Sequence, residues 1–432
     1  MKKVLIITYY WPPAGGIGVL RCLKIAKYLR SFGYEPVIYT VKNPSYPFED
    51  QSNFKDIPEN IEVIRGAVVE FEAVFKKLIR RQKQSVNNIV FGPEKQNWFV
   101  KLAMWVRANY FIPDAKSRWI KPSVKILSKY LEENKIDAIF SDGPPHTNTV
   151  IACEIAKKFG IPWLSDYQDP WTQVDYYSKF PLSKKADKKQ KALEQEAFKY
   201  ADKIVSASPS FSAGLEDIGA KNTDVLYYGY DEDDFKDLVP VPDKEFTLVH
   251  AGILAGDRYP ENLVKVVGEL IKKKESFRQH FRLKLMGSVE ETTLNKIKEF
   301  IPEENLILTG HVSRERVLQE LINSHILLIL VNKENSKGRI PGKLYEYFRA
   351  QRPILLIGDM EGDAAELINI TNSGTCFEYE EADKLKIQLD QMFTNFENGV
   401  DSYTGGNFEQ FSNFNQTKKV ADWLDTILNE RT

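Results

Sequence analysis

Short unbroken apolar runs recur along this chain, each followed by a loop and a stretch with apolar residues at helical spacing. The first is VLIIT at 4–8, β-branched residues and Leu without polar alternation, the pattern of a strand covered on both faces. YYWPPAGGIG follows, then a helical pattern over 19–30 closed by Gly33. Strand, Gly-rich turn, helix is the opening of a doubly wound α/β domain. Further strands are predicted at 36–41, 61–66, 138–143, 162–167, 203–208 and 225–229. A Pro-rich acidic stretch at 230–246 breaks the rhythm. A second series then begins, with strands at 247–252, 281–287, 305–310, 326–331 and 353–359. The pattern predicts two doubly wound α/β domains, residues 1–235 and 247–412, joined by a linker at 236–246 and facing across a cleft. An amphipathic helix over 417–428, within a terminal segment 413–432, is expected to pack back on the first domain.

Composition narrows the class. At 432 residues the chain is too long for one ordinary core, and 43% apolar residues give ample material for buried sheets. The formal charge of −1 argues against a general nucleic-acid binder. Met-Lys-Lys runs into VLIIT and then polar residues, too short for a secretory signal, and runs such as 326–331 fall far below the ~20 residues of a membrane span. The expectation is a cytoplasmic protein that is able to lie on a membrane surface. Cys22, Cys153 and Cys376 lie far apart without metal-ligand spacing, so they read as reduced, buried thiols.

Charge is uneven, however. Within an expected insert at 70–125, residues 76–125 carry twelve Lys/Arg against two acids, Glu94 and Asp114, interleaved with Trp98, Phe99, Trp105, Tyr110, Phe111 and Trp119. Basic residues with interfacial aromatics suit an anionic membrane surface or a lipid-diphosphate acceptor. A solvated helical insert with its Trp residues in the core is the plainer alternative. No nucleic-acid module accompanies the charge, so no nucleic-acid partner is expected.

The richest chemistry lies at 337–353, KGRIPGKLYEYFRAQRP. A Gly-bearing loop with Lys337, Arg339 and Lys343 enters a helix that carries Glu346 on its first turns. Free backbone N–H groups at a helix start suit a phosphate, and a carboxylate one turn on suits a ribose diol. The stretch reads as a nucleotide-diphosphate site. Gly16 and Gly18 begin a GxGxxG pattern, but Arg21 takes the third place, a weak dinucleotide signal. His146, in SDGPPH after a predicted strand, is placed to hydrogen-bond a sugar hydroxyl or to serve at the start of a helix. Asp166 and Asp169, in SDYQDPWT, would orient an acceptor hydroxyl or shape a turn. Arg258 follows Gly252 in a loop where its planar fork suits phosphate oxygens. His250, His280, His311 and His325 show no ligand spacing and read as core or surface residues. Asp231–Asp234 read as a solvated turn rather than a metal site, and no serine or cysteine nucleophile arrangement is evident.

Five segments in order resemble retaining glycosyltransferases of family 4, which have the GT-B fold. TYYWPPAGGIG is similar to the family's first Gly-rich loop, and YYGYDEDDF to its Asn-Gly-x-Asp…Phe signature. HAGILAGDRYPENL looks like the opening of its donor domain, and KLYEYFRAQRP like its Glu-Ala-Met-Ala-x-Gly-x-Pro segment. SDGPPHT and SDYQDPWT resemble the members that act in bacterial surface-polysaccharide pathways. The resemblance implies transfer of a hexosyl or N-acetylhexosaminyl group from a nucleotide diphosphate sugar, a UDP-sugar first, with retention and with no metal or other cofactor. It implies a glycan or lipid-linked acceptor and a place at the inner face of the cytoplasmic membrane. Glu346 would hold the ribose; Gly342, Lys343 and Leu344 would offer backbone N–H groups to the diphosphate, with Arg258 and Arg339 supplying charge. Gly15, Gly16 and Gly18 would close over the donor, and His146 and Asp169 would line the acceptor side. The chain departs from the family at Gly338, where a first glutamate is usual, and at Ile253 and Tyr259, where a cation pair is usual.

Two other readings are carried alongside. A GT-B-fold sugar-nucleotide epimerase would need cleft acids and no acceptor surface. A non-catalytic sugar-nucleotide-binding scaffold would fit the missing glutamate and thinned cations. A nicotinamide dehydrogenase is disfavoured by the absent third glycine.

Overall fold

Apolar residues on successive positions of β1 (Lys2–Ile7) go to opposite faces, and both faces are covered. Val4 and Ile6 pack with the helix Ile17–Leu29, and Leu5 and Ile7 pack with Trp119 and Ile151 on the other side. This double burial is why the run reads as unbroken hydrophobicity rather than alternation. The computed structural model describes residues 1–68, 98–333, 336–400 and 402–431. Part of the basic aromatic segment, 76–97, lies outside the described residues.

The chain divides into two units, Met1–Tyr227 with Gln416–Thr432, and Tyr228–Asn415. The first holds β1, β2 (Tyr34–Val41), β3 (Glu62–Gly66), β4 (Ala138–Gly143), β5 (Trp163–Tyr167), β6 (Lys203–Ser206) and β7 (Thr223–Val225). They form one parallel sheet in the order β3-β2-β1-β4-β5-β6-β7. The second holds β8 (Phe246–Ala251), β9 (Phe281–Met286), β10 (Leu306–Gly310), β11 (Ile326–Leu330), β12 (Ile354–Ile357) and β13 (Gly374–Phe377). Their order is β10-β9-β8-β11-β12-β13, again parallel throughout. Each unit is therefore doubly wound: strand order reverses between β1 and β4 in the first, and between β8 and β11 in the second.

The C-terminal helix Asn413–Glu430 returns to the first unit, as expected. Its Val420, Ala421, Leu424 and Ile427 join the core of β1 and the helix Ile17–Leu29. Burying a Val, Leu or Ile side chain in this way stabilises by about 1.5–3 kcal/mol. Asp425 on its flank accepts from Tyr34 Oη at 2.6 Å and pairs with Lys2 at 3.0 Å.

Two strands differ most from the sequence reading. β7 begins at Thr223, ahead of the expected 225, and the chain leaves the sheet after Leu226, where the Tyr227 amide donates to Gln416 Oε1. β13 was not foreseen, because four residues opening on Gly and Thr give no hydrophobic run. The helix Trp98–Tyr110 is fixed through Asn109, which donates to the Pro181 carbonyl and accepts from the Ser183 amide, each at 2.8 Å. Among the described residues no helix is long and apolar enough to cross a membrane.

Candidate functional site

In a doubly wound sheet, ligands bind beyond the carboxyl ends of the strands where the order reverses. In the second unit that place lies over β8 and β11. β8 ends at Ala251, and Gly252, with φ of 133°, turns the chain through a conformation closed to other residues. The helix Lys343–Ala350 begins against this end. Lys343 Nζ donates to the Ala251 carbonyl at 2.7 Å and stands 3.3 Å from His250 Nε2. His250 Nδ1 lies 3.1 Å from the Leu328 carbonyl on β11, so one imidazole spans the reversal point. The hydroxyl of Tyr347 accepts from the Ala251 amide at 3.0 Å and anchors the helix to the same strand end.

Burial drives the electrostatics. It pushes His250 down to about 3, helped by the charges of Lys343 and Arg258 and opposed by the Leu328 and Ile253 backbones. Lys343 is pushed down to about 7, first by burial and then by the Arg258 guanidinium, with Glu346 opposing. Lys343 and Arg258, both predicted from sequence, thus act on one place. His250, set aside as a core or surface residue, is their third member. Its partner Lys343 stands 93 residues on, and nothing local marks the pair.

The remaining residues expected on a donor side are placed as follows. Arg258 is half-buried and braced by Asp257 at 2.9 Å. Gly342 caps the helix start, where no side chain satisfies the first amides. Leu344 departs from expectation: it is fully buried and its N–H donates to the Pro341 carbonyl at 2.9 Å, so it offers nothing to a ligand. Arg339 is half-buried in the loop before the helix, its amide bonded to the Ser336 carbonyl. Glu346 is paired with Arg314 at 2.7 Å, and Arg314 also reaches Asp234 at 3.2 Å. Burial works against the Arg314 charge, but Glu346 and Asp234 more than offset it and raise its pKa. In the acidic turn, Asp231 accepts from the Asp233 amide and Glu232 pairs with Arg349. Among the described residues no group of three or more acidic, His or Cys side chains is arranged to hold a metal ion.

In the first unit the reversal lies between β1 and β4. Gly16, at φ 84°, caps the helix Ile17–Leu29, which has neither a side-chain cap nor an acid in its first turn. The Gly15 amide donates to the Phe48 carbonyl at 3.0 Å, and Gly18 lies in the first turn of the helix. Beneath this loop is a buried polar cluster. Asp142 accepts from Thr8 at 3.1 Å, Asn148 at 2.8 Å and Gln168 at 3.2 Å. Asp166, its neighbour in register on β5, lies 3.3 Å from Arg21 Nε. Burial raises both carboxyls to about 7; the Asp166 charge adds to the effect on Asp142, while Arg21 opposes it on Asp166. Asp166 thus belongs to the interior, and only Asp169, just beyond β5, is exposed.

His146 is also inward. Its ring stacks on Trp171 at 4.8 Å and an interplanar angle of 6°, and burial pushes it down to about 3. Nδ1 has no hydrogen-bond partner, and the Pro170 backbone opposes part of the burial effect. At 7% exposure the ring is not open to a sugar hydroxyl as expected. Nor does it cap the following helix: Asp114 accepts from the Thr147 amide and hydroxyl, each at 2.8 Å. His146 and Trp171 instead line a pocket of about 180 Å³, walled by Met104 and Ala108 of the helix Trp98–Tyr110, by Phe111 just after it, and by Tyr177, Phe180 and Leu182. The other side of that helix exposes Trp98, Leu102, Trp105 and Tyr110.

No protein-family model matches the chain, and no curated protein is similar to it in sequence. Solved structures are similar in fold. A glycosyltransferase from Rickettsia africae aligns over 99% of this chain and 98% of its own, with a TM-score of 0.58 and 16% identity. Anabaena HepE, in complex with UDP, aligns over 100% and 98%, with a TM-score of 0.55 and 13% identity. A Listeria monocytogenes protein assigned as a UDP-N-acetylglucosamine 2-epimerase aligns over 100% and 98%, with a TM-score of 0.58 and 11% identity. These likenesses show the fold: two Rossmann-like α/β units of the GT-B glycosyltransferase kind.

Proposed function

We propose that this chain is a retaining glycosyltransferase of the family 4 kind, moving a sugar from a nucleotide diphosphate sugar, UDP-linked in the first instance, to a glycan or lipid-linked acceptor. The observation that carries the reading is the convergence of Lys343 and Arg258 on the end of β8, over an uncapped helix start that bears Glu346 one turn on. Two cations and the backbone N–H groups of Gly342 and Lys343 form a seat for a departing diphosphate, with Arg339 in the loop before it. Lys343 takes the part that Ile253 and Tyr259 leave unfilled. Glu346, held by Arg314, presents its carboxylate to the ribose diol. In the first unit, the Gly15–Gly18 loop and the exposed Asp169 lie beyond the carboxyl ends of β1 and β5, where the reading puts the sugar and its acceptor. The chemistry asks for positioning and charge stabilisation rather than a strong base or a metal.

The acceptor reading is a polysaccharide, lipopolysaccharide or glycolipid precursor at the inner face of the cytoplasmic membrane. It is supported by the helix Trp98–Tyr110, which exposes Trp98, Leu102, Trp105 and Tyr110, and by the exposed cations Lys101, Arg107, Arg118 and Lys121 in the same stretch of sequence. A second reading, sugar-nucleotide epimerisation on the same fold, is favoured by the likeness to the Listeria protein.

One experiment separates them: calorimetry and product analysis with UDP-, GDP-, ADP- and dTDP-sugars in EDTA. Binding with slow release of free sugar supports the transferase and names the donor. An isomeric sugar-nucleotide product makes the chain an epimerase, and binding of none of the four removes the donor site.

A further inference from the structure

His250 is 1% exposed; its ring nitrogens face the Leu328 carbonyl and Lys343 Nζ, and the Ile253 backbone is a further neighbour. The Leu328 carbonyl, 3.1 Å from Nδ1, only accepts; a lone pair on Nδ1 would face it unfavourably, so Nδ1 carries the hydrogen. A neutral imidazole with Nδ1–H has a lone pair at Nε2, and that lone pair faces Lys343 Nζ at 3.3 Å. The lysine nitrogen has three positions beyond its own carbon. One donates to the Ala251 carbonyl at 2.7 Å and a second to His250 Nε2. Gly252 leaves room for this arrangement, since a Cβ there would lie 3.0 Å from Nζ. The third position meets no protein group among the described residues. It is an N–H only when the amine is protonated.

Building on the donor site proposed above, we propose that His250 is a positioning residue which, with the Ala251 carbonyl, uses two hydrogens of Lys343 and turns the third to the donor diphosphate, so that binding takes up a proton at Lys343. The charged and titratable groups around the amine are few. Arg258, from the loop after β8, disfavours its proton, Glu346 on its own helix favours it, and His250 stays neutral. Tyr347 is occupied by the Ala251 amide. A diphosphate adds negative charge beside the amine and reverses the balance. Above neutral pH the empty site holds the free amine in part, whereas the occupied site holds the ammonium.

UDP binding to the full chain is measured by calorimetry at pH 7.5–8.5, where the nucleotide is fully ionised, in buffers of different ionisation enthalpy. Uptake of about half a proton or more is expected, with affinity falling as pH rises. Lys343→Arg, which cannot lose its charge, abolishes the uptake. His250→Leu weakens UDP about fivefold or more and moves the fall in affinity to lower pH, while His250→Gln, which keeps an acceptor, restores much of both. In the unliganded protein, 15N-histidine spectra are expected to show His250 as the Nδ1–H tautomer from pH 5 to 8.5. UDP binding without proton exchange, or an Nε2–H tautomer, overturns the inference and leaves the donor site standing. Binding of none of UDP, GDP, ADP and dTDP removes both.

Discussion

Arg314 sets its guanidinium 2.7 Å from Glu346 Oε1 and 3.2 Å from Asp234 Oδ2, so the carboxylate of the candidate ribose site is held from the neighbouring helix Arg314–Asn323. A half-buried acid gripped in this way has one orientation rather than several, which lowers the ordering cost when a ligand accepts it as partner. The same relationship separates two effects of mutation, because Arg314 keeps Asp234 when Glu346 is removed.

Glu346→Ala is expected to weaken UDP binding at least tenfold, or ~1.4 kcal/mol. In wild type, a UDP analogue lacking both ribose hydroxyls should lose a similar factor, and in the variant it should lose little more. Calorimetry on the four combinations decides the matter, and simple additivity of the two losses would place the ribose elsewhere.

Gly143 closes β4 directly beneath the His146 ring: a Cβ there would come within 2.7 Å of Nδ1 and 3.0 Å of Thr149 Oγ1. Gly143→Ala should therefore destabilise the first unit by about 1–3 kcal/mol, the usual cost of overpacking. His146→Ala in the same chain should relieve part of that cost. Urea unfolding of the single and double variants measures it; a neutral Gly143→Ala would show that the stack on Trp171 yields easily.

Asp142 and Asp166 bind protons more tightly in the folded chain than in the unfolded one, since burial raises both to about 7 from ordinary carboxylate values near 4. Between those limits the native state holds more protons than the unfolded state. By linkage, their contribution to stability is full below about pH 4, shrinks as pH rises towards 7 and then levels off. Asp142→Asn should flatten this part of the profile. Denaturant midpoints at pH 5 and pH 8 provide the check, and an unchanged difference between them would show that Asp142 does not carry the proton.

The exposed side of the helix Trp98–Tyr110 makes a separate claim. Replacing Trp98 and Trp105 with Ala should reduce sedimentation with anionic vesicles several-fold, and raising salt should weaken what remains. Failure of the wild-type chain to sediment with such vesicles at low salt would remove the membrane reading.

Much of the fold was legible because it rests on periodicity. In β1, β4, β8 and β11 both faces are buried, and short apolar runs, closed by glycine in β4 and β8, reported them within a residue or two. β13 escaped because a short edge strand needs little hydrophobicity of its own. At the proposed donor site, the segment with Lys343 and Glu346 stands out through its loop–helix pattern, a local signal. Its orientation has no such signal: the Leu344 amide turns inward to Pro341, and the lysine is paired with an unforeseen histidine.

The sequence alone determined two doubly wound α/β units, a terminal helix returning to the first, and a cationic loop entering a helix. Each follows from the spacing of residues within reach of one another along the chain. Only the tertiary structure decided that His250 meets Lys343, that Arg314 holds Glu346, and that His146 and Asp166 are interior rather than exposed. Those outcomes depend on where strand ends from distant segments come together. Burial there sets which groups carry charge, and no local pattern encodes the depth to which a side chain is buried.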